Sequence, residues 1–158
     1  MSDEFMALRV DDVMIKKVHT IEADFSTRYA ARMMDYLRVS SLVVLQEGRV
    51  VGILTERDLV SNIVSRACNS DEVLVRDVMS FPVLTARPNT LLENAIKFML
   101  MSRIKKLPVV AGENDQDLVG ILSLTDIARL HPVIYSKLIE YQNKAQPYEN
   151  ERVGQYIQ

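Results

Sequence analysis

The chain has a single cysteine, Cys68, which cannot close an intramolecular disulfide. It also lacks any basic excess: 19 Lys and Arg stand against 21 Asp and Glu, giving a net charge of −2 and a pI near 5.7. That balance provides no electrostatic footprint for a nucleic-acid backbone, and no nucleic-acid partner is expected. Long apolar runs are missing too. The stretches 42–45, 50–54 and 107–111 fall far short of the ~18 to 20 residues of a bilayer-spanning helix, so no membrane insertion is expected. The acidic start Met1-Ser2-Asp3-Glu4 differs from a secretory leader, and with the lone thiol it predicts a reducing, cytoplasmic address. Neither a Gly-x-Gly-x-x-Gly fingerprint nor a Walker-type phosphate loop occurs. His19 and His131 lack metal-ligand spacing, and Cys68 lies in polar sequence without a visible histidine partner, so neither a catalytic residue nor a metal is expected.

What is present is an ordinary globular balance: 158 residues, 48% hydrophobic and 25% charged. A chain of this length buries roughly 68 to 70% of its unfolded surface, enough for a core without crosslinks. The chain also repeats itself. Asp12-Val13-Met14 returns as Asp77-Val78-Met79, a shift of 65 residues that also superposes Val18 on Val83, Thr20 on Thr85, Ala30 on Ala95, Met34 on Met99, Arg38 on Arg103, Leu42 on Leu107 and Val44 on Val109. Gly52-Ile53-Leu54 then matches Gly120-Ile121-Leu122 at a shift of 68, which places three extra residues in the polar loop 111–117.

Each copy reads β-α-β-β-α. Short first strands are expected at 18–21 and 83–86, each followed by an amphipathic helix. The core faces of these helices are Tyr29, Ala30, Met33, Met34 and Leu37 in one copy and Leu91, Leu92, Ala95, Ile96 and Met99 in the other. The helical methionines Met33, Met34, Met99 and Met101 are read as core filling. The runs Leu42-Val43-Val44-Leu45 and Pro108-Val109-Val110 are continuous rather than alternating, as in strands covered on both faces, and Gly48 marks the turn after the first run. The organisation expected is an N-terminal segment 1–9, repeats over 10–70 and 71–131, and a C-terminal helix and tail over 132–158. Each repeat alone is of marginal size, so an α/β (α+β) body of two motifs packed as a pseudo-twofold pair is predicted. Ile134, Leu138 and Tyr141 predict the C-terminal helix, ending by Gln146-Pro147, with a frayed tail from Tyr148. The tyrosines there, Tyr135, Tyr141, Tyr148 and Tyr156, suit a subunit interface.

The sharpest local signal is Gly52-Ile53-Leu54-Thr55-Glu56-Arg57-Asp58, echoed by Gly120-Ile121-Leu122-Ser123-Leu124-Thr125-Asp126. Glycine lets another group approach the strand, the hydroxyl marks the start of a helix, and a carboxylate one turn on can accept both hydroxyls of a ribose. The same spacing, Thr or Ser followed three residues later by Asp, also caps a helix without any ligand. Both readings stand on the residues alone.

Paired β-α-β-β-α units, each opening near Asp-Val-Met and ending in Gly-x-x-(Thr/Ser)-x-x-Asp, resemble tandem cystathionine-β-synthase (CBS) domains, which together form a Bateman module. The resemblance covers roughly 10–130. It implies a regulatory protein, not an enzyme, that is homodimeric, binds an adenosine-containing ligand (AMP, ADP, ATP or S-adenosylmethionine) in clefts between the motifs, and signals to a separate, unidentified protein. It implies that Asp58 and Asp126 hold ribose and that Thr55 and Ser123 lie near ribose or phosphate. The Asp58 cleft would be completed by Val83, Thr85, Lys105, Lys106 and Pro108, and the Asp126 cleft by Val18, His19, Thr20, Ser40 and Ser41. Arg57, Lys105 and Lys106 predict that the Asp58 cleft prefers phosphorylated nucleotides. The alternative is a ligand-free structural or interaction dimer whose aspartates only cap helices.

Overall fold

The computed structural model describes residues 8–115 and 117–144. In the first repeat, Ser26 stops the extended chain and caps helix α2 (Thr27–Leu37; α1 precedes it, below) by accepting the Tyr29 N–H. Thr27, Ala30 and Met34 fall on the buried stripe, while Tyr29, one residue off it, stays half exposed and stacks on Phe25 with ring centroids 4.6 Å apart. The expectation of Tyr29 on the core face is thereby corrected. In the second repeat, helix α5 (Leu92–Met101) buries Leu92, Ala95, Ile96 and Met99. Leu91 stands just outside it as the exposed capping residue, and Met101 points outward, 85% exposed, instead of filling the core.

Strands β1 (Thr20–Glu22), β2 (Ser41–Gln46) and β3 (Arg49–Thr55) form one sheet in that order, β1 parallel to β2 and β2 antiparallel to β3. Between β2 and β3, Glu47 and Gly48 both take positive φ, as a tight hairpin turn requires. The second sheet has only β4 (Lys106–Ala111) and β5 (Asp117–Ser123). The strand expected over 83–86 shrinks to a single bridge, Ala86 beside Val109. The reason is visible residue by residue. In the first repeat the Val43 N–H donates to His19 O and the Ala23 N–H to Leu45 O, flanking the central pair of β1. Their counterparts are Pro108 and Pro88, which have no N–H to give.

Each repeat has its own core, yet each is completed by the other's opening segment. The turn of helix α1 (Val10–Val13) lies on the second repeat. Val10 is fully buried with Leu92, Ile96, Met99, Leu107 and Leu122, and its N–H donates to Thr90 O. Helix α4 (Val75–Val78) lies on the first. Val75 is fully buried with Ala30, Met34, Leu42 and Leu54, and its N–H donates to Phe25 O. The repeated Asp-Val-Met now has a physical meaning. Asp12 and Asp77 accept the Arg9 and Leu74 N–H groups and so cap these turns. Met14 lies over Gly120 and Met79 over Gly52, where a Cβ would come within 2.5 Å of the sulfur. The close approach that the glycines permit is thus to a methionine of the opposite repeat, followed by the bridges Ile15–Ile121 and Ile53–Ser80.

Helix α3 (Glu56–Leu59) follows β3 and continues into a π-helical stretch, 60–64. Helix α6 (Leu124–Leu130) follows β5, and α7 (Pro132–Lys144) returns Ile134 to the second core. The side chains of Tyr135, Leu138 and Tyr141, and the tail with Tyr148 and Tyr156, lie outside the described residues. No helix of the described residues is long and apolar enough to cross a membrane.

Candidate ligand cleft

Both motifs sit where the last strand of a repeat becomes a helix, but their side chains are used differently. At the end of β3 the capping box is closed. Asp58 Oδ2 accepts both the Thr55 N–H and the Thr55 hydroxyl at 2.8 Å, and the Thr55 hydroxyl oxygen accepts the Asp58 N–H at 3.3 Å. At the end of β5, Ser123 is buried and its Oγ accepts the Asp126 N–H at 3.3 Å and Lys106 Nζ at 3.1 Å. The Asp126 carboxylate makes no reciprocal bond to Ser123; its Oδ1 accepts Arg129 Nη2 at 3.2 Å. Asp58 Oδ2 is thus taken up by its own cap residue, whereas the Asp126 carboxylate is not tied to Ser123 and keeps Oδ2 as an acceptor.

A cavity of about 810 Å³ opens beside Asp126. The first repeat contributes Lys17, Val18, His19, Arg38, Ser40, Ser41 and Glu56, and the second contributes Lys106, Ile121, Thr125, Asp126 and Arg129. Val18 and His19 arrive on the segment that pairs Ile15 with Ile121 before entering β1. Arg38 ends α2 in the left-handed conformation, φ 56°, which turns the chain into Ser40 and Ser41 at the start of β2.

Of the residues expected around Asp126, the structure brings Val18, His19, Ser40 and Ser41 to this cavity, whereas Thr20 lies in β1 and Ser123 behind the wall. Thr55, Asp58, Arg57, Val83, Thr85, Lys105 and Pro108 do not line it. Arg57 and Lys105 are exposed, Val83 and Thr85 half-buried, and Pro108 buried within β4. Lys106 departs from the expectation. Its pairing with Ser123 across β4 and β5 sets it beside the motif of its own repeat, so it serves the Asp126 cavity and not the Asp58 side for which the phosphate preference was argued. Lys17, Arg38, Glu56, Thr125 and Arg129 were not anticipated. Arg129, one turn after Asp126 on α6, is the one that helical spacing alone would have revealed.

Among the described residues no group of three or more His, Cys, Asp or Glu side chains is placed to hold a metal ion. The cavity combines three carboxylates, Asp35, Glu56 and Asp126, with hydroxyls, apolar walls and cations, the inventory of a polar small-molecule site of ordinary size.

Comparison with known proteins places this architecture. The CBS domain model matches the chain twice, over residues 10–65 and 75–132. An uncharacterized protein of Methanopyrus kandleri is 35% identical over 117 residues, 74% of this chain, which spans 59% of that relative's length. The CBS domain-containing protein YhcV of Bacillus subtilis is 32% identical over 119 residues, covering 75% of this chain and 82% of the relative. Among solved structures, a CBS domain pair in complex with 5′-methylthioadenosine and S-adenosyl-L-methionine has the same fold, with a TM-score of 0.71 at 24% identity over 81% of this chain and 98% of that one. The chain belongs to the CBS domain family and carries the domain twice.

Proposed function

We propose that this CBS pair is a regulatory module that binds an adenosine-containing ligand (AMP, ADP, ATP or S-adenosylmethionine) in the Asp126 cleft, acts as a homodimer and signals to a separate protein rather than catalysing a reaction. The observation that carries the reading is that Asp126, unlike Asp58, lines a cavity walled by both repeats and is not held by its own cap residue. Ribose hydroxyls are donors that such a carboxylate takes in pairs, and a ligand contacting both repeats has differential affinity for their relative arrangement, the requirement for transmitting a signal. That another protein of this fold was crystallised with two adenosine compounds supports the ligand class. For the Asp58 motif, the closed capping box favours the purely structural role.

Thermal unfolding of the wild type, Asp58→Ala and Asp126→Ala with AMP, ADP, ATP, S-adenosylmethionine and a guanine nucleotide tests this. Ligand at 100 times Kd adds about 2.7 kcal/mol, or about 5 to 10 °C for a chain of this size. Asp126→Ala abolishes that rise and hardly changes the free protein, because its exposed ion pair is worth at most about 1 kcal/mol. Asp58→Ala lowers the free protein by about 1 kcal/mol through loss of the cap and keeps the rise. No rise with any adenine compound overturns the proposal.

A further inference from the structure

We propose that the face beside Asp58, the counterpart of the ligand cleft, is a docking surface for an acidic, apolar segment of the separate protein to which this module signals. The proposal rests on that signalling reading and not on the identity of the ligand.

The backbone of this face repeats that of the cleft. Ser80 is bridged to Ile53 on β3 and Ala86 to Val109 on β4, so the segment 80–86 crosses between the repeats as the segment 15–21 does. The Leu124 N–H donates to Lys105 O as the Glu56 N–H donates to Ser40 O. Arg103 follows α5 in the left-handed conformation that Arg38 takes after α2.

The side chains differ. Shifting the cleft residues by 65 or 68 positions puts Pro82 and Leu84 where the cleft has Lys17 and His19, and Leu100 and Leu124 where it has Asp35 and Glu56. Lys105 stands for Ser40 and Arg57 for Thr125. Leucines thus replace two acids, and cations replace two hydroxyls. Asp58, the carboxylate that remains among these counterparts, is held by Thr55 in its own cap.

The result is an apolar strip that water still reaches, with cations on the same face. Phe81 is 73% and Leu84 40% exposed, while Val83, Leu100, Ile104 and Leu124 are half-buried. Arg57, Arg103 and Lys105 are exposed and have no ion pair among the described residues. An exposed apolar patch rimmed by charge marks an interaction site. Here the rim has one sign and selects a partner of the other, which it steers in, while the aromatic anchor supplies affinity. A segment with Glu or Asp beside Leu or Phe satisfies the cations and covers the strip together.

Fluorescence anisotropy of the full chain with three labelled peptides tests this: one alternating Glu with Leu and Phe, one with Lys in place of Glu, and one with Ser in place of Leu and Phe. The first binds at least about tenfold tighter than either control at about 50 mM salt, and its lead over the Lys peptide narrows at about 500 mM. The double variant Arg57→Glu/Lys105→Glu weakens it about tenfold, as does Phe81→Ser through loss of the anchor. Lys16→Glu, at the repeat counterpart of Phe81 on the cleft side, hardly changes the affinity and controls for net charge. Residues 16, 57, 81 and 105 are all exposed, so these variants fold.

Equal binding of the three peptides, no binding of any, or an affinity that survives both sets of substitutions overturns the docking surface. So does a fall in sedimentation mass with Phe81→Ser, which makes the face a contact between copies of this chain. Displacement of the peptide by ADP from Asp126→Ala makes it a second nucleotide cleft and overturns the proposal too. In each of these cases an adenine-dependent rise in unfolding temperature leaves the adenosine reading standing. Absence of that rise alongside peptide binding removes the adenosine reading and keeps the docking surface.

Discussion

The two repeats are built on one plan, and they differ most where the plan meets the cleft. In the first, Thr55 and Asp58 satisfy each other; in the second, Ser123 holds Lys106, and Asp126 faces the cavity through Arg129. The backbone position is equivalent, so the difference lies in the neighbours. Lys106 corresponds to Ser41 and Arg129 to Ser61, whose short side chains do not reach across as the longer cations do. A carboxylate in this motif caps its own helix unless nearby cations draw it away. The two copies thus share one frame, and a few differing neighbours leave one motif carboxylate in its own cap and the other on the wall of a cavity.

The sharpest way to break the comparison is through the exchanged valines. Val75 is fully buried in the first core and Val10 in the second, so truncation to alanine at either costs about 1.5 to 3 kcal/mol of transfer and cavity energy. The location of the damage is the informative result. Val75→Ala raises amide exchange in β1, β2 and β3, although residue 75 belongs to the second repeat by sequence, and Val10→Ala raises it in β4 and β5. Damage confined to each valine's own repeat would show that the exchange does not carry the coupling.

The glycines give a smaller, graded effect. A Cβ on Gly52 meets both the Met79 sulfur at 2.5 Å and the Ser80 carbonyl at 2.9 Å; on Gly120 it meets the Met14 sulfur at 2.5 Å and the Ile15 carbonyl at 3.2 Å. A thioether swings aside, but a carbonyl held in a bridge does not. Gly52→Ala therefore costs about 2 to 3 kcal/mol and Gly120→Ala about 1 to 2, within the range for overpacked sites. Denaturant midpoints that fall in the reverse order would place the strain in the methionines instead.

Much of this frame is legible in the residues, because a 65-residue shift repeats Asp-Val-Met, the helix faces and the paired apolar strands. The exchange of opening segments is not, since self-similarity says which positions are equivalent and not which copy each one packs against. The loss of a strand over 83–86 was written in Pro88 and Pro108, but only pairing with β2 shows that those two amides are the ones needed. At the cleft, Asp126, Val18, His19, Ser40 and Ser41 were identifiable from the motif and the resemblance. Lys106, expected beside Asp58, lines the Asp126 cavity, because strand register decides which neighbour a side chain meets. Arg38 enters the sequence reading only as the repeat counterpart of Arg103, and nothing in the motif points it to the cleft.

Arg38 and its counterpart Arg103 sharpen the comparison at the smallest scale. Both follow the buried methionine of their helix by four residues and take the left-handed conformation, with φ of 56° and 55°. In both repeats the next amide bonds back to that methionine's carbonyl, Val39 to Met34 and Ile104 to Met99, which holds the turn in place. A left-handed residue with a side chain costs about 1 to 2 kcal/mol, and glycine returns part of this in unfolded-chain entropy, about 0.5 to 1 kcal/mol. Arg38→Gly and Arg103→Gly therefore each raise stability by a similar small amount, about 0.5 kcal/mol net, seen as matched upward shifts in thermal unfolding. Their effects on the ligand diverge: Arg38 lines the Asp126 cavity and Arg103 does not. ADP affinity falls with Arg38→Gly and stays at the wild-type value with Arg103→Gly. Equal losses from both would mean that the helix end acts through the backbone, and equal indifference would remove Arg38 from the cations that shape the cleft.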